Sequence, residues 1–165
     1  MAFTYEPIAT SSPTGNTVTL SSIPQTYTDL RLVVNGSSTT SNTIFVKFNG
    51  DTGTNYHVQG QQAAGAGAPT VASASAAYLS GAFADWNPTY SNTYILDIFN
   101  YTTSSKTKSG MWSYTSAESS GRYHSSGGFM WNNTSSGINS IQVYLANASY
   151  SFSNTTITIF GILKG

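Results

Sequence analysis

The chain of 165 residues holds no cysteine. That absence excludes disulfides, thiolate chemistry and the softest metal ligands. Charge is nearly as scarce. Asp, Glu, Lys and Arg make up 7% of the residues, six acids against six bases, for a formal net charge of zero; an ordinary globular domain is about a quarter charged. The bases Arg31, Lys47, Lys106, Lys108, Arg122 and Lys164 are scattered, which leaves no basic footprint for a nucleic acid. No apolar run approaches a membrane-spanning length. The opening residues, Met1 to Glu6, lack the charged and apolar regions of a secretory leader, which predicts synthesis in the cytosol and no membrane partner.

Small uncharged polar residues stand where the charges would be: 26 Ser, 23 Thr and 13 Asn. A hydroxyl or amide is far cheaper to bury than an ion. Such faces suit a protein covered by neighbouring subunits, which points to an assembly component. Disorder is the other reading of a Ser/Gly/Asn-rich chain. It is excluded by an aromatic content of 13% and by regular apolar alternation, both foreign to disordered segments. The length predicts a single domain, 1–165, able to bury roughly 70% of the surface of its unfolded chain.

Period-2 alternation between Gly, Asn and Ser turns predicts an all-β fold with about eight antiparallel strands. The strongest runs place Leu30, Leu32 and Val34 on one face, then Ile44, Val46 and Phe48, then Tyr94, Leu96 and Ile98, then Ile141, Val143 and Leu145. Residues 17–20 and 155–163 add a short and a long strand, and 111–115 and 127–131 two weaker, aromatic ones. Phe45, Ile95 and Phe99 fall on the opposite faces of their strands, as they would under a second layer or a partner. Eight strands in one domain suggest a two-sheet sandwich of jelly-roll type. Residues 59–77, QGQQAAGAGAPTVASASAA, break the pattern: Ala and Gly dominate, and Gly60, Gly65, Gly67 and Pro69 interrupt any helix. They read as a long loop or arm, either laid over a neighbouring subunit or a flexible insertion.

Few groups carry chemistry. The run Asn49-Gly50-Asp51-Thr52-Gly53-Thr54-Asn55-Tyr56 has the oxygen ligands and glycines of a cation loop but a single carboxylate and no EF-hand spacing. It reads as a tight turn in which Asp51 bonds amides of its own loop. His57 and His124 are far apart and no Gly-x-Ser-x-Gly elbow is present. The six acids form no evident pair for glycoside hydrolysis, and Asp97 reads as a strand residue with a ladder or Lys106 partner. No catalytic residue, cofactor or metal site is predicted. Trp86, Trp112 and Trp131 read as core or interface, or as a sugar-stacking platform.

Four segments together resemble a family of tailed-bacteriophage virion structural proteins. They are residues 23–30 (IPQTYTDL), 48–56 (FNGDTGTNY), 98–101 with 106–108 (IFNY and KTK), and 157–164 (ITIFGILK). They occur in the family's order and span most of the chain. The resemblance implies a non-enzymatic part of the virion, on head or tail. The leading expectation is a capsid decoration (cement) protein, by analogy a homotrimer on the outside of the head, with the major capsid protein and itself as partners. Its expected contacts are the arm, with Gln59, Gln61, Gln62 and Val71, the N-terminal Phe3 and Tyr5, and the outward Phe45 and Phe99. The alternative is a tail-fibre, tail-tip or head-fibre adhesin that stacks host-surface carbohydrate on Trp86, Trp112 and Trp131.

Overall fold

The computed structural model describes residues 3–64, 70–118 and 121–164. They form twelve strands and no helix: β1 (Phe3–Ser11), β2 (Thr17–Leu20), β3 (Asp29–Ser38), β4 (Asn42–Phe48), β5 (Tyr56–Ala64), β6 (Thr70–Ala76), β7 (Leu79–Trp86), β8 (Asn92–Phe99), β9 (Lys108–Glu118), β10 (Gly121–Trp131), β11 (Ile141–Leu145) and β12 (Phe152–Lys164). An eight-stranded sheet has the order β1-β12-β3-β8-β9-β10-β5-β6, and a four-stranded sheet the order β2-β11-β4-β7. Every ladder is antiparallel.

The alternation read from the sequence sets which side chains turn inward. Leu30, Leu32 and Val34 of β3, Tyr94, Leu96 and Ile98 of β8, and Ile157 and Ile159 of β12 come from the large sheet. Ile44, Val46 and Phe48 of β4 with Ile141, Val143 and Leu145 of β11 come from the small one. All belong to one buried cluster.

Strands pair in nested fashion. β1 lies beside β12, β2 beside β11, β3 beside β8 and β4 beside β7, with successive members of this set alternating between the sheets. Two hairpins are added to that frame, β5–β6 between β4 and β7, and β9–β10 between β8 and β11. Both join the same sheet and double it from four strands to eight.

Four strands, β1, β5, β6 and β7, escaped the sequence reading. β1 is an edge whose described side chains are exposed or half-buried. β7 is built largely of small residues between Leu79 and Trp86. The correction with most consequence is 59–77. Its residues 59–64 and 70–76 are strand, not loop, and 65–69 lie outside the described residues. Strand formation there is imposed by a neighbour: β10 offers nine consecutive partners, from Trp131 opposite Tyr56 to Tyr123 opposite Ala64. β6 then closes on β5 from Tyr56–Ala76 to Gln62–Thr70. Backbone hydrogen bonds outweigh a weak local propensity.

Close approach across the β9–β10–β5 ladders beside Trp112 explains two of the glycines. Trp112 stands opposite Gly127 in the β9–β10 ladder, and Gly127 stands opposite Gly60 in the next. A methyl group on Gly60 would strike the Trp112 ring, and one on Gly127 would strike the Gln59 carbonyl. Gly127→Ala is therefore expected to destabilise the fold by ~1–3 kcal/mol, read as a lower urea midpoint at unchanged slope.

Candidate functional site

Segment 48–56 is the crossing at which the chain leaves β4 in the small sheet for β5 in the large one. Asn49 and Gly50 both take positive φ, 53° and 67°, the conformation that Asn-Gly tolerates best. The Asn49 side chain fastens the turn to the 132–140 segment. Its Nδ2 donates to the Gly137 carbonyl at 2.8 Å, and its Oδ1 accepts from the amides of Asn139 and Ser140 at 2.9 and 3.1 Å.

Asp51 is saturated by donors. Its carboxylate accepts from the Gly53 amide at 2.8 Å, from Asn55 Nδ2 at 3.0 Å and from the Trp131 indole Nε1 at 2.7 Å. Partial burial pushes the Asp51 pKa up, but the hydrogen bonds from Asn55, Trp131 and Gly53 outweigh it and hold the carboxyl below its ordinary value. The same indole meets a cation. Lys108 is fully buried; its Nζ lies 5.0 Å from the centre of the Trp131 ring and donates to the Asn133 carbonyl at 2.7 Å. Burial lowers the Lys108 pKa. Carboxylate at the positive edge of the ring and ammonium over its negative face is the arrangement the ring quadrupole favours.

The remaining familiar segments join this knot. Tyr101 is buried; its hydroxyl donates to the Pro24 carbonyl and its own carbonyl accepts from the Ile138 amide. Gln25 Nε2 donates to the Ile138 carbonyl at 2.8 Å, and the Asn100 amide donates to Asp29 Oδ1 at 2.8 Å. The Thr28 amide bonds the Ile162 carbonyl, and Tyr27 packs on Gly161. The four segments thus meet in one hydrogen-bonded network, in which Gln25, Asp29, Asn49, Asp51, Tyr101 and Lys108 all bond groups of the fold itself. Among the described residues no cluster of three His, Asp or Glu could hold a metal ion. His57 Nδ1 lies 2.8 Å from Ser75 Oγ. Asp97 is paired in a bidentate bridge to Arg31, at 2.6 and 2.8 Å across the β3–β8 ladder, and not to Lys106.

A surface suited to a partner lies elsewhere, on the outer side of the large sheet. Neighbouring rows of the ladder place Phe99, Ser109, Met130 and His57 side by side, and next to them Asp97, Met111, Gly128 and Gln59. Phe99, Met111 and Met130 are 38%, 59% and 43% exposed. Beside Met130 runs an open groove of about 1020 Å³, walled by His57, Gln59, Ser75, Ser109 and Met130 over Gly128. The charge on this stretch is that of Asp97, and Arg31 neutralises it.

Of the expected contacts, Phe99, Gln59 and Gln61 lie on this outer side, while Gln62 is half-buried. Tyr5 is exposed under the Arg31 guanidinium, 5.2 Å away. Phe45 is on the outer side of the small sheet, half-covered by stacking on Tyr78 at 3.9 Å and by the edge of Tyr144. The side chains of Phe3 and Val71 lie outside the described residues. The tryptophans require correction as a sugar platform. Trp86, Trp112 and Trp131 are 0%, 3% and 0% exposed, so no ring face is open to a ligand; large rings fill the inner side of the widened sheet instead. Met111 and Met130 were missed, although their phase was readable: each is one residue out of step with buried Trp112 or with buried Phe129 and Trp131.

Compared with protein-family models, curated proteins and solved structures, the chain matches none.

Because the folded-state pKa of Asp51 is lowered, its stabilisation is present above the unfolded value near 4 and is lost as pH falls through the folded one. The thermal midpoint of the wild type is expected to drop on acidification from about pH 5 to about pH 2. Asp51→Asn is expected to be less stable at pH 7 by ~1.5–3 kcal/mol, the worth of hydrogen bonds to a charged group, and to lose part of that acid dependence. Equal pH slopes for the two proteins would remove Asp51 from this role.

Proposed function

We propose that the protein is a structural component of a tailed-phage virion, a capsid decoration protein that binds the outer head through the exposed side of its eight-stranded sheet. The observation that carries this reading is the face itself: three exposed apolar side chains, Phe99, Met111 and Met130, set among hydroxyls and amides. Such a face loses little on desolvation and gains by burying apolar area. Interfaces are enriched in methionine and aromatic residues and depleted in charge at their centres, as this surface is. The four resembling segments support the same class, since in this fold they serve as scaffold, in keeping with a family whose role is structural.

The nested strand order supports the jelly-roll form of a sandwich, with β1, β12, β3 and β8 as one layer, β2, β11, β4 and β7 as the other, and two hairpins widening the first. A rigid double layer is suited to bridging shell subunits, where several weak contacts act together.

The experiment adds purified protein back to heads that lack it and counts bound copies. Hundreds per head are expected. Met111→Glu combined with Met130→Glu, both on exposed positions, is expected to leave the circular dichroism unchanged and to weaken head binding at least about tenfold, because each carboxylate must be desolvated without a partner. Undiminished occupancy by the double variant, or a few tens of copies per particle, would overturn the reading; the low number points to a fibre or tail-tip component.

A further inference from the structure

The two sheets end in four edges, β1 and β6 in the large sheet and β2 and β7 in the small one. An edge strand presents unpaired N–H and C=O groups to any other chain, and proteins blunt such edges with charge, proline, bulges or short length. Three of the four are blunted in this way. β1 carries Glu6 and Pro7, with a register shift between Pro7 and Ala9. β2 is four residues long. β7 carries Asp85 and has an irregular ladder with β4. The fourth, β6, has none of these devices. Its seven residues, TVASASA, hold no charge and no proline, and it pairs with β5 through seven consecutive residues without a shift.

From this asymmetry we infer that β6 is the self-association edge of the protein, and that two copies join there by antiparallel pairing of β6 with β6 about a two-fold axis. Three physical points select a second copy of this chain as the occupant. A two-fold axis sets the strand against its own reversed copy, its central residue facing its duplicate and the flanking residues facing one another in turn, so self-pairing is favoured where no like charges would meet; the sequence of β6 holds no charge at any position. A head-to-tail contact, which a three-fold ring requires, would need β6 to meet a different edge, and each of the others is blunted. Small side chains on β6 also let a second backbone approach closely and evenly. The segment expected to lie over a neighbouring subunit thereby reaches that neighbour through its backbone. In the centred register the two Ser73 residues face one another, and the large sheets of both copies run on as one sheet across the axis. This inference stands apart from the virion reading, since it concerns the purified chain alone.

Sedimentation of the purified full-length protein tests it. A concentration-dependent dimer is expected. Ser73→Lys and Ser73→Glu, each opposite the exposed Gln59 in the ladder, are expected to raise the dimer dissociation constant at least about tenfold by placing like charges across the axis. An equimolar mixture of the Lys and Glu variants is expected to recover a dimer, which a merely misfolded variant would not do. Ser12→Lys, on an exposed residue outside the strands, is the control and is expected to dimerise as the wild type does. A wild-type protein that stays monomeric at about 100 μM, far above the range of a specific interface, would overturn the inference. So would a trimer, or a dimer indifferent to both Ser73 variants.

Discussion

Trp131 is held from two sides, by the Asp51 carboxylate on its indole N–H and by the buried Lys108 ammonium over its ring. The rest of the structure depends on that clasp because of where it sits. Asp51 belongs to the crossing from β4 to β5, Lys108 begins β9 and Trp131 ends β10. Three of the four strands that widen the large sheet, β5, β9 and β10, are thus fastened at a common end to the loop through which the chain enters the widening. A buried lysine is expensive. Here its cost is offset by a carbonyl hydrogen bond and by an aromatic face, and its long stem fills space beneath the sheet.

The widening has consequences on both sides. β7 of the small sheet packs against β5, β9 and β10, and the buried side of the added hairpins carries large rings: Tyr56, Trp112, Tyr114, Phe129 and Trp131. That is the structural use of an aromatic content equally suited to a binding platform. On the outer side the described side chains of the same hairpins are mostly small or uncharged, interrupted by exposed Met111 and Met130. One device, the insertion of two hairpins into a nested frame, accounts for an aromatic-filled interior and a neutral exterior together.

Much of this was legible in the sequence where burial is one-sided. The runs at 30–34, 44–48, 94–98 and 141–145 place an apolar or aromatic residue at every second position, and each became a strand with the expected face inward. The Asn-Gly turn and the inward-bonded Asp51 were legible too, because the conformational freedom of Asn-Gly and the short reach of an aspartate are local properties. The tryptophans were not, since an aromatic side chain in a weakly patterned strand is equally at home in a core, an interface or a sugar site. Segment 59–77 was misread for a related reason: Gln, Ala, Gly and Ser carry no periodicity that separates a strand from a loop.

Composition and local alternation together determined that this is an all-β protein with few charges and with neither thiol chemistry nor a basic footprint, because those properties are sums over residues or near-neighbour patterns that survive in any arrangement. Only the tertiary structure decided that Ala- and Gly-rich residues form an edge strand, that all three tryptophans are sealed inside, and that Met111 and Met130 stand together outside. Each of those outcomes depends on a ladder between residues distant in sequence. A ladder partner contributes hydrogen bonds and a direction for every side chain, and neither is written in the strand that receives them.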